Sequence, residues 1–347
     1  MVVRVRGDDM LSVAPDAGRP HPLSQESQLS ELLSVVVPVH NESAVLRQFY
    51  RQVGDVMRAI GSRYELIFVD DGSVDDSASI LAGLRAGDDS VAVIALSRNF
   101  GKEVALCAGL DHASGDAVII IDADLQDPPE TIHEFVRAWR DGYDVVYGQR
   151  IDRLGDAWLK VFSARWFYKV INYLSDVEIP PDVGDFRLLS RRAVDALRSL
   201  PERRRYMKGL YAWIGFPQKA VPFVRQPRVA GNTKWNYWRL WNFALDGITS
   251  FSDVPLRVAT YLGIATSGLA FLYGAFLLVR TLIWGNPVPG YPSLIIVMLF
   301  LGGVQLICLG IIGEYLARTF QEAKARTLYF VKEYHPAGTA ERGDDAS

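Results

Sequence analysis

The chain has 347 residues, of which 49% are hydrophobic and 22% are charged, and its 37 basic and 40 acidic residues leave a net charge of -3. Two cysteines, Cys107 and Cys308, are too few for a disulfide framework or a structural zinc site, so we interpret both as packing residues in a reducing compartment. A mean hydropathy of +0.09 is high for a soluble protein with this charge content, because an apolar excess is concentrated near the C-terminus.

The first 33 residues read as a disordered tail. Met1 to Leu33 has no continuous apolar core and is interrupted by Pro15, Pro20 and Pro22, so it lacks the pattern of a signal peptide. From residue 34 to residue 231 we predict a single folded domain.

Short apolar runs alternate with helical periodicity from Leu32 onward. The candidate strands are Leu32–Val39, Tyr64–Asp70, Val91–Leu96, Ala117–Asp122 and Asp144–Gly148. The candidate helices are Ala44–Ile60, Asp75–Ala86, Lys102–His112 and Pro129–Arg140. Strands that read as continuous Val/Ile runs and alternate with helices are typical of a parallel sheet covered on both faces.

Local residues support these boundaries. Ser73 is placed to cap a helix, Gly115 to end one and Pro129 to occupy a first helical turn. No GxGxxG or GxxxxGK(S/T) sequence follows a predicted strand, which disfavours a dinucleotide oxidoreductase or a P-loop enzyme. Ligands of such sheets bind beyond the carboxyl ends of the strands, so the informative residues should follow the strands.

Four polar motifs follow the first four predicted strands: PVHNE (Pro38–Glu42), DDGS (Asp70–Ser73), SRNFGKE (Ser97–Glu103) and DADLQD (Asp122–Asp127). Each motif alone reads as a turn or a helix start. Together they place six carboxylates along one rim of the sheet, namely Glu42, Asp70, Asp71, Asp122, Asp124 and Asp127.

Such crowding destabilises the substrate-free protein unless a cation or a network of donors offsets it. Carboxylate oxygens with a side-chain amide suit Mg²⁺ or Mn²⁺, which retain waters and bind through substrate phosphates.

The ordered set Pro-Val-x-Asn-Glu, Asp-Asp-Gly-Ser, Arg-Asn-Phe-Gly and Asp-Ala-Asp-Leu-Gln-Asp-Pro-Pro-Glu resembles the inverting family 2 glycosyltransferases. Within them it is similar to the polyisoprenyl-phosphate glycosyltransferases, the group of dolichyl-phosphate mannose synthase and bactoprenol glucosyltransferase. The likeness covers about Leu33 to Arg318. It implies a GT-A-type, Rossmann-like α/β fold with a mostly parallel sheet, helices on both faces, amphipathic interface helices and a C-terminal hairpin of two transmembrane helices.

The same resemblance implies roles for individual residues. It assigns the metal, Mg²⁺ or Mn²⁺, to Asp124 and Gln126. It assigns nucleotide-sugar binding to Pro38, Val39, Glu42, Asp70, Asp71, Asp122, Ala123 and Arg150. It assigns catalytic roles to Asp122, Asp124, Arg150 and Asp185, and acceptor or phosphate binding to Lys208, Arg225, Arg228 and Lys234.

Asp185 lies at the start of the apolar run VGDFRLLSRR, where the family has an acidic residue near the acceptor. A cap of a helix or strand is the structural alternative. A phosphate monoester has a second pKa of about 6 and is largely dianionic at neutral pH, so the nucleophile needs orientation more than deprotonation. We therefore assign Asp185 to acceptor positioning or to general base, and favour positioning.

A basic and aromatic region precedes the apolar C-terminal segments. Residues 203–239 contain nine basic residues and no acidic ones. The same region contains the aromatic residues Trp213, Trp235, Tyr237 and Trp238. This composition suits an interface with anionic lipid headgroups, whereas the nearby apolar segments argue against nucleic acid.

Within that region, RQPRVAGNTKWNYW resembles the family's Arg-x-x-Arg-x-x-Gly-x-Ser-Lys-Tyr loop, and this gives Arg225, Arg228 and Lys234 their assigned roles. The chain has Thr233 in place of Ser and Trp235 in place of Tyr. The threonine keeps the hydroxyl group, but the tryptophan loses the phenol.

Two uncharged segments are long enough to cross a bilayer. Val258–Val279 has 22 residues, and Leu294–Ile312 has 19, interrupted only by the polar Gln305. Since about 20 apolar residues span a hydrocarbon core, we predict two transmembrane helices, within residues 257–318, rather than two buried core helices.

The charges around these segments predict their orientation. The loop Arg280–Ser293 carries one basic residue, whereas the flanks carry Arg239, Arg257, Arg318, Lys324 and Arg326. The positive-inside rule then puts both flanks in the cytoplasm. We predict an amphipathic juxtamembrane segment over residues 232–256 and a cytoplasmic C-terminal tail over residues 319–347.

Two cytoplasmic ends and the closing sequence Ile312–Arg318 resemble the bactoprenol branch. This implies inverting transfer of one sugar from UDP-glucose or a related UDP-hexose to undecaprenyl or decaprenyl phosphate. The reaction would take place at the cytoplasmic face of the inner membrane and supply a lipid-phosphate-sugar for cell-envelope glycosylation. The resemblance also implies a homo-oligomer, a tetramer in some relatives, with a flippase and a downstream lipid-sugar-dependent glycosyltransferase as partners.

Three alternatives remain at this point. The first is mannosyl transfer from GDP-mannose. The second is a processive polysaccharide synthase, although Phe162 stands where the Gln-x-x-Arg-Trp motif of such enzymes needs glutamine before Arg165 and Trp166. The third is a non-catalytic flippase partner, against which four intact residues argue, namely Asp124, Gln126, Arg150 and Asp185.

Overall fold

The structure is a computed structural model, and it describes residues 31–151, 183–203, 205–226, 254–284 and 290–338. Some predicted features lie outside these residues. They are the tail as far as residue 30, the Arg165–Trp166 pair, Arg228, Lys234, and the juxtamembrane segment before residue 254.

In the described part of the chain, eight strands form one sheet. In chain order they are β1 (Leu32–Val39), β2 (Arg63–Asp70), β3 (Val91–Leu96), β4 (Ala117–Ile120), β5 (Val145–Arg150), β6 (Val183–Ser190), β7 (Gln218–Phe223) and β8 (Val331–His335). Leu32 and Leu33 pair with Arg63 and Tyr64 of β2, so the sheet begins two residues before residue 34, where we placed the start of the domain.

The order across the sheet is β7-β5-β6-β4-β1-β2-β3-β8. The neighbours β4, β1, β2 and β3 are parallel, as are β5 and β7. β6 runs antiparallel to β4 and β5, and β8 runs antiparallel to β3. The predicted fold class, a mostly parallel sheet with helices on both faces, is therefore confirmed.

The helices are α1 (Leu46–Ile60), α2 (Ser77–Gly87), α3 (Lys102–His112), α4 (Ile132–Arg140), α5 (Arg191–Ser199), α6 (Met207–Trp213), α7 (Val254–Trp284) and α8 (Tyr291–Ala323). A 3-10 turn, Pro129–Thr131, leads into α4, so Pro129 does occupy a first helical turn. The predicted helix over 102–112 coincides with α3.

The sheet separates two hydrophobic cores. Val35 and Val37 of β1 belong to one core, and Val36 belongs to the other. Successive side chains of a strand point to opposite faces, so a continuous apolar run fills both cores at once. All three valines are fully buried.

Two glycines allow close packing around β1. A Cβ on Gly109 of α3 would lie 2.2 Å from Val36 Cγ1, and a Cβ on Gly115 would lie 2.6 Å from the Ser34 amide nitrogen. Gly115 was predicted to end a helix, but its absent side chain instead lets the turn before β4 pass directly over β1.

The C-terminal segment differs from the predicted tail. α8 continues to Ala323, and β8 then adds an antiparallel strand beside β3. Around it, the Ser97 amide donates to the Phe330 carbonyl at 2.9 Å, and the Tyr329 hydroxyl donates to Asp111 at 2.8 Å. Residues 324–338 are thus part of the folded domain, because the edge of β3 offers unpaired backbone groups that β8 satisfies.

Two helices are long and apolar enough to cross a membrane, over Leu256–Trp284 and Phe300–Ala323. They contact each other, with the Cys308 thiol 3.5 Å from the Ala259 carbonyl. Apolar side chains such as Phe271, 77% exposed, project outward along them. The helices are longer than the predicted spans. They continue past the uncharged segments and include the charged residues Arg257, Glu314 and Arg318. A hairpin that exposes so much apolar surface indicates membrane association.

Candidate active site

The carboxyl ends of the parallel strands meet at one edge of the sheet. Val39, at the end of β1, is in register with Asp70 at the end of β2, and Asp70 is in register with Ala95 of β3. The motifs that follow these strands therefore face one another across short distances.

We call the segments 38–42, 70–74 and 97–101 the donor-side loops. Asp71 joins them, since its carboxylate accepts the Phe100 amide at 2.7 Å and the Gly101 amide at 2.9 Å. Gly72 has a φ of 66°, and a Cβ there would lie 2.6 Å from the Asn99 amide nitrogen, so only glycine fits without a shift. Burial raises the pKa of Asp71, although the two amides oppose this shift.

Polar side chains complete the contacts between the donor-side loops. One ring nitrogen of His40 lies 3.0 Å from the Asp71 carbonyl oxygen, and the other lies 3.0 Å from the side-chain amide nitrogen of Asn99. Asn41, with a φ of 57°, accepts the Val74 amide at 2.8 Å. His40 and Asn99 had no predicted role, because their contacts join segments about 60 residues apart in the chain.

Some predicted residues have different surroundings from those expected. Ser73 does not cap α2, since its hydroxyl accepts the Asn41 amide at 3.0 Å. The side chains of Val39 and Ala123 are 1% and 3% exposed and lie in the core. Any contact that these two positions make with a nucleotide would have to come from the backbone. Pro38 is partly exposed and Glu42 lies at the same edge.

The acidic motif forms a loop. β4 ends at Ile120, two residues before the predicted end at Asp122, so Asp122 and Asp124 both lie in the loop, and Leu125 turns the chain with a φ of 58°. Asp124 accepts the Gln126 amide at 3.1 Å, and the Gln126 carbonyl accepts the Gln226 amide at 2.9 Å. The loop is thus held by its own turn and by the segment after β7.

The described residues contain no group of three or more His, Cys, Asp or Glu side chains placed to hold a metal ion. Asp124 and Gln126, two residues apart on the turned loop, still offer a carboxylate and an amide oxygen. Two protein ligands suit an ion such as Mg²⁺ or Mn²⁺ that takes its other ligands from water and substrate phosphates. The donor set therefore fits a metal that binds together with its substrate.

Two arginines lie beside this loop. Arg150 ends β5 and is in register with Phe223, two residues before Arg225. A Cβ on Gly184 would lie 3.0 Å from an Arg150 nitrogen, so Arg150 reaches the segment that carries Asp185. Burial and the positive charge of Arg150 lower the pKa of Arg225. Two guanidinium groups this close to each other create a site for a polyanion.

Asp185 lies beyond the end of β4. Ile120 is in register with Arg187 of the antiparallel β6, so Asp185 lies next to the acidic loop. Its side chain is 11% exposed. Burial alone would raise the pKa of Asp185, but Lys102 and Lys208 outweigh it and hold this pKa well below its usual range.

Lys102 joins the acidic loop to Asp185. Its Nζ lies 2.7 Å from Asp122 and 2.5 Å from Asp185. Two unit charges 4 Å apart interact by about 4 kcal/mol at an effective dielectric constant of about 20, so this cation offsets a large repulsion between the carboxylates. One local feature of the sequence could have pointed to Lys102. It is a lysine at the first position of a helix, where the helix dipole disfavours a cation.

The acceptor-side cluster consists of Lys102, Glu103, Asp185, Arg187 and Lys208. Arg187, 3% exposed, stacks on the Tyr211 ring at 3.5 Å and donates to the Gly184 carbonyl at 2.7 Å. Burial and the charge of Asp185 raise the pKa of Glu103 to about 8. One oxygen of Asp185 and one of Glu103 are buried and make no hydrogen bond.

This site lies in a chain whose two parts match two family models. Residues 34–198 match the model "Glycosyl transferase family 2", and residues 254–319 match "GtrB C-terminal hairpin". The chain belongs to glycosyltransferase family 2. Within it, the chain combines the glycosyltransferase domain with the hairpin and is about half identical to bactoprenol glucosyl transferases.

Two relatives illustrate this placement, and one solved structure is similar at lower identity. The chain is 53% identical to an uncharacterised glycosyltransferase of Synechocystis sp., over 87% of this chain and 95% of that protein. It is 50% identical to the SfII prophage-derived bactoprenol glucosyl transferase of Shigella flexneri, over 87% of this chain and 98% of that protein. The solved glucosyl-3-phosphoglycerate synthase from Mycobacterium tuberculosis is 20% identical, covers 63% of this chain and 76% of its own, and has a TM-score of 0.46.

Proposed function

We propose that the protein transfers a single hexose from UDP-glucose or a related UDP-hexose to polyprenyl phosphate, with inversion, at the cytoplasmic face of the membrane. The observation that carries this proposal is that Asp122, Asp124 and Asp185 lie near Arg150 at the carboxyl edge of the sheet, in a chain with two helices long and apolar enough to cross a membrane. The 50% identity to a bactoprenol glucosyl transferase supports the lipid acceptor.

The donor-side loops would hold the nucleotide. Pro38 and Glu42 lie partly exposed at their edge, whereas Asp70 is buried and accepts the Ser73 amide at 2.9 Å. Asp71 and Gly72 keep the loops in contact. Asp124 and Gln126 would hold Mg²⁺ or Mn²⁺, which when bound stabilises the negative charge of the diphosphate leaving group.

The two arginines would bind the departing diphosphate from the opposite side. As the glycosidic bond breaks, its electron pair leaves with the nucleoside diphosphate, and negative charge grows on the diphosphate oxygens. Arg150 and Arg225 are already in place beside the acidic loop, so they stabilise that charge without rearrangement. In this role Arg150 acts on the transition state and is a catalytic residue.

Asp185 would position the acceptor. Its pKa lies well below the usual range, which makes its carboxylate a weak base. A polyprenyl phosphate is largely dianionic at neutral pH, so its oxygen attacks the anomeric carbon without giving up a proton. Attack opposite the leaving diphosphate converts an α-linked donor into a β-linked lipid phosphate sugar.

The proposal is tested with the full-length protein in detergent, undecaprenyl phosphate, Mg²⁺ and radiolabelled UDP-glucose. We expect a glycolipid that mild acid cleaves and whose mass corresponds to one added hexose. A panel of UDP- and GDP-sugars then identifies the donor, and a product from GDP-mannose alone would replace UDP-hexose with the mannosyl alternative.

Two outcomes would contradict the proposal. A polymeric product would show that the protein is a processive polysaccharide synthase. No product with any nucleotide sugar, from protein that remains folded, would support a non-catalytic partner of a flippase. An Asp124→Asn variant provides the control, since it should remain in the membrane and lose the product.

A further inference from the structure

Lys102 contacts two carboxylates that come from different parts of the chain. Asp122 is 20 residues away in the loop after β4, and Asp185 is 83 residues away on β6. Within the proposed function, Asp122 faces the sugar donor and Asp185 faces the acceptor. Lys102 therefore stands at the junction where the two substrates must meet.

The backbone before Lys102 is fixed, but its side chain is not enclosed. The Asp71 carboxylate holds the amides of Phe100 and Gly101, and α3 begins at Lys102 itself. The Lys102 side chain is 41% exposed, whereas Arg187 is 3% exposed behind it. A long flexible stem on a fixed helix start can move its ammonium group by several ångströms without disturbing the fold.

The charge around this junction is unfavourable to an incoming phosphate. The acceptor brings about two negative charges, and Asp122, Asp124 and Asp185 face the same space. Glu103, Arg187, Lys208 and Tyr211 are other ionisable groups around Asp185, and Arg150 reaches the same segment. Lys102 contacts both carboxylates, so it is placed to accompany the phosphate between them.

We propose that Lys102 binds the acceptor phosphate: its ammonium group bridges Asp122 and Asp185 before substrates arrive and exchanges one of these contacts for a phosphate oxygen when the acceptor enters. This inference rests on the proposed function and names the cation that receives the acceptor. Lys102 keeps its proton throughout, and the bond that forms joins the phosphate oxygen to the anomeric carbon. Lys102 acts through its positive charge and its position.

The kinetic test uses full-length protein with Lys102→Met and Lys102→Arg, and with Lys332→Met as the matched control on the exposed strand β8. Loss of a charge-assisted hydrogen bond should raise the KM for undecaprenyl phosphate by about 10- to 100-fold. The KM for UDP-glucose should stay within about threefold of wild type. Lys102→Arg should recover part of the loss, and Lys332→Met should behave as wild type.

A binding test does not depend on turnover. Tryptophan fluorescence measures the affinity of each variant for farnesyl phosphate and, separately, for UDP with Mn²⁺. Lys102→Met should weaken farnesyl phosphate binding by about 10- to 100-fold and leave UDP binding unchanged. If Lys102 had a purely structural role, its loss would weaken the binding of both farnesyl phosphate and UDP. Lys102→Arg shows whether any cation at this position is enough to maintain the fold.

Equal farnesyl phosphate affinity in wild type and Lys102→Met, or an equal loss of UDP affinity, would overturn the inference. If the wild type binds farnesyl phosphate through Lys102 but transfers no sugar, the proposed function fails and the phosphate site stands. If transfer proceeds normally in Lys102→Met, the inference fails and the proposed function stands.

Discussion

The donor-side loops and the acceptor-side cluster share one sheet edge, but different forces stabilise them. In the donor-side loops, the Asp71 carboxylate is satisfied by two backbone amides, and Gly72 allows the chains to touch. In the acceptor-side cluster, Lys102 and Asp185 are stabilised mainly by each other's charge, and buried oxygens of Asp185 and Glu103 make no hydrogen bond. Backbone contacts hold a fixed shape, whereas a charge cluster changes when a charged substrate enters it.

The largest expected effect concerns the acceptor-side cluster. Asp185→Asn removes the anion that offsets Lys102 and Lys208 and also the group that positions the acceptor. We expect sugar transfer to fall by about 10²-fold or more, because the acceptor oxygen is no longer held in line with the anomeric carbon. The measurement is initial rate against undecaprenyl phosphate, with the exposed Asp195→Asn on α5 as control.

The wild-type pH profile accompanies this test. The pKa of Asp185 is low, so this group stays ionised and should not limit the rate between pH 5 and 8. The rate should instead rise with the second ionisation of the acceptor phosphate near pH 6. If the rate follows a protein ionisation that is the same with acceptors of different pKa and is absent in Asp185→Asn, this result would contradict positioning and favour a general base.

The next effect concerns the donor-side loops. Asp71→Asn leaves one acceptor oxygen for two amides and turns an NH₂ group toward the other amide. We expect the free energy of unfolding to fall by about 1 to 3 kcal/mol, with weaker UDP binding. Chemical unfolding and UDP titration measure the two quantities. The Asp89 side chain is 90% exposed, so Asp89→Asn should change neither.

A smaller effect depends on pH. Burial and the charge of Asp185 raise the pKa of Glu103 to about 8, and Lys102, Lys208 and Arg187 oppose that shift. A group with a raised pKa in the folded state stabilises the fold below its unfolded pKa and loses this contribution as pH rises toward 8. Glu103→Gln should therefore raise Tm by roughly 3 to 6 °C at pH 8.5 and have little effect at pH 4.5. The control is the exposed Glu134→Gln, and a gain that does not depend on pH would contradict the raised pKa.

The smallest effect tests how α3, which carries Lys102, is held at its far end. Tyr329→Phe removes the hydroxyl that donates to Asp111 at 2.8 Å. We expect a loss of about 1 kcal/mol in unfolding free energy, seen by thermal unfolding. The transfer rate should hardly change, because the backbone pairing of β8 remains. Tyr334→Phe, which keeps its ring contact with His112, is the matched control.

Local patterns predicted much of the architecture. The strands β1 and β3 and the helix α3 have the bounds that the sequence suggests, because Val/Ile runs and helical spacing act over a few residues. β8 was missed, since its exposed residues show no buried face and its pairing with β3 depends on a contact more than 200 residues away. Such long-range pairing leaves no local signal.

The sequence alone determined the family, the strand-end motifs and the two apolar helices, because each depends on residues close together in the chain. Only the tertiary structure showed that Asp71 and Gly72 bind the donor-side loops together, that Val39 and Ala123 face the core, and that Lys102 bridges Asp122 and Asp185. The physical reason is that these contacts join segments which meet only when the sheet has formed, and charge compensation depends on distance in space.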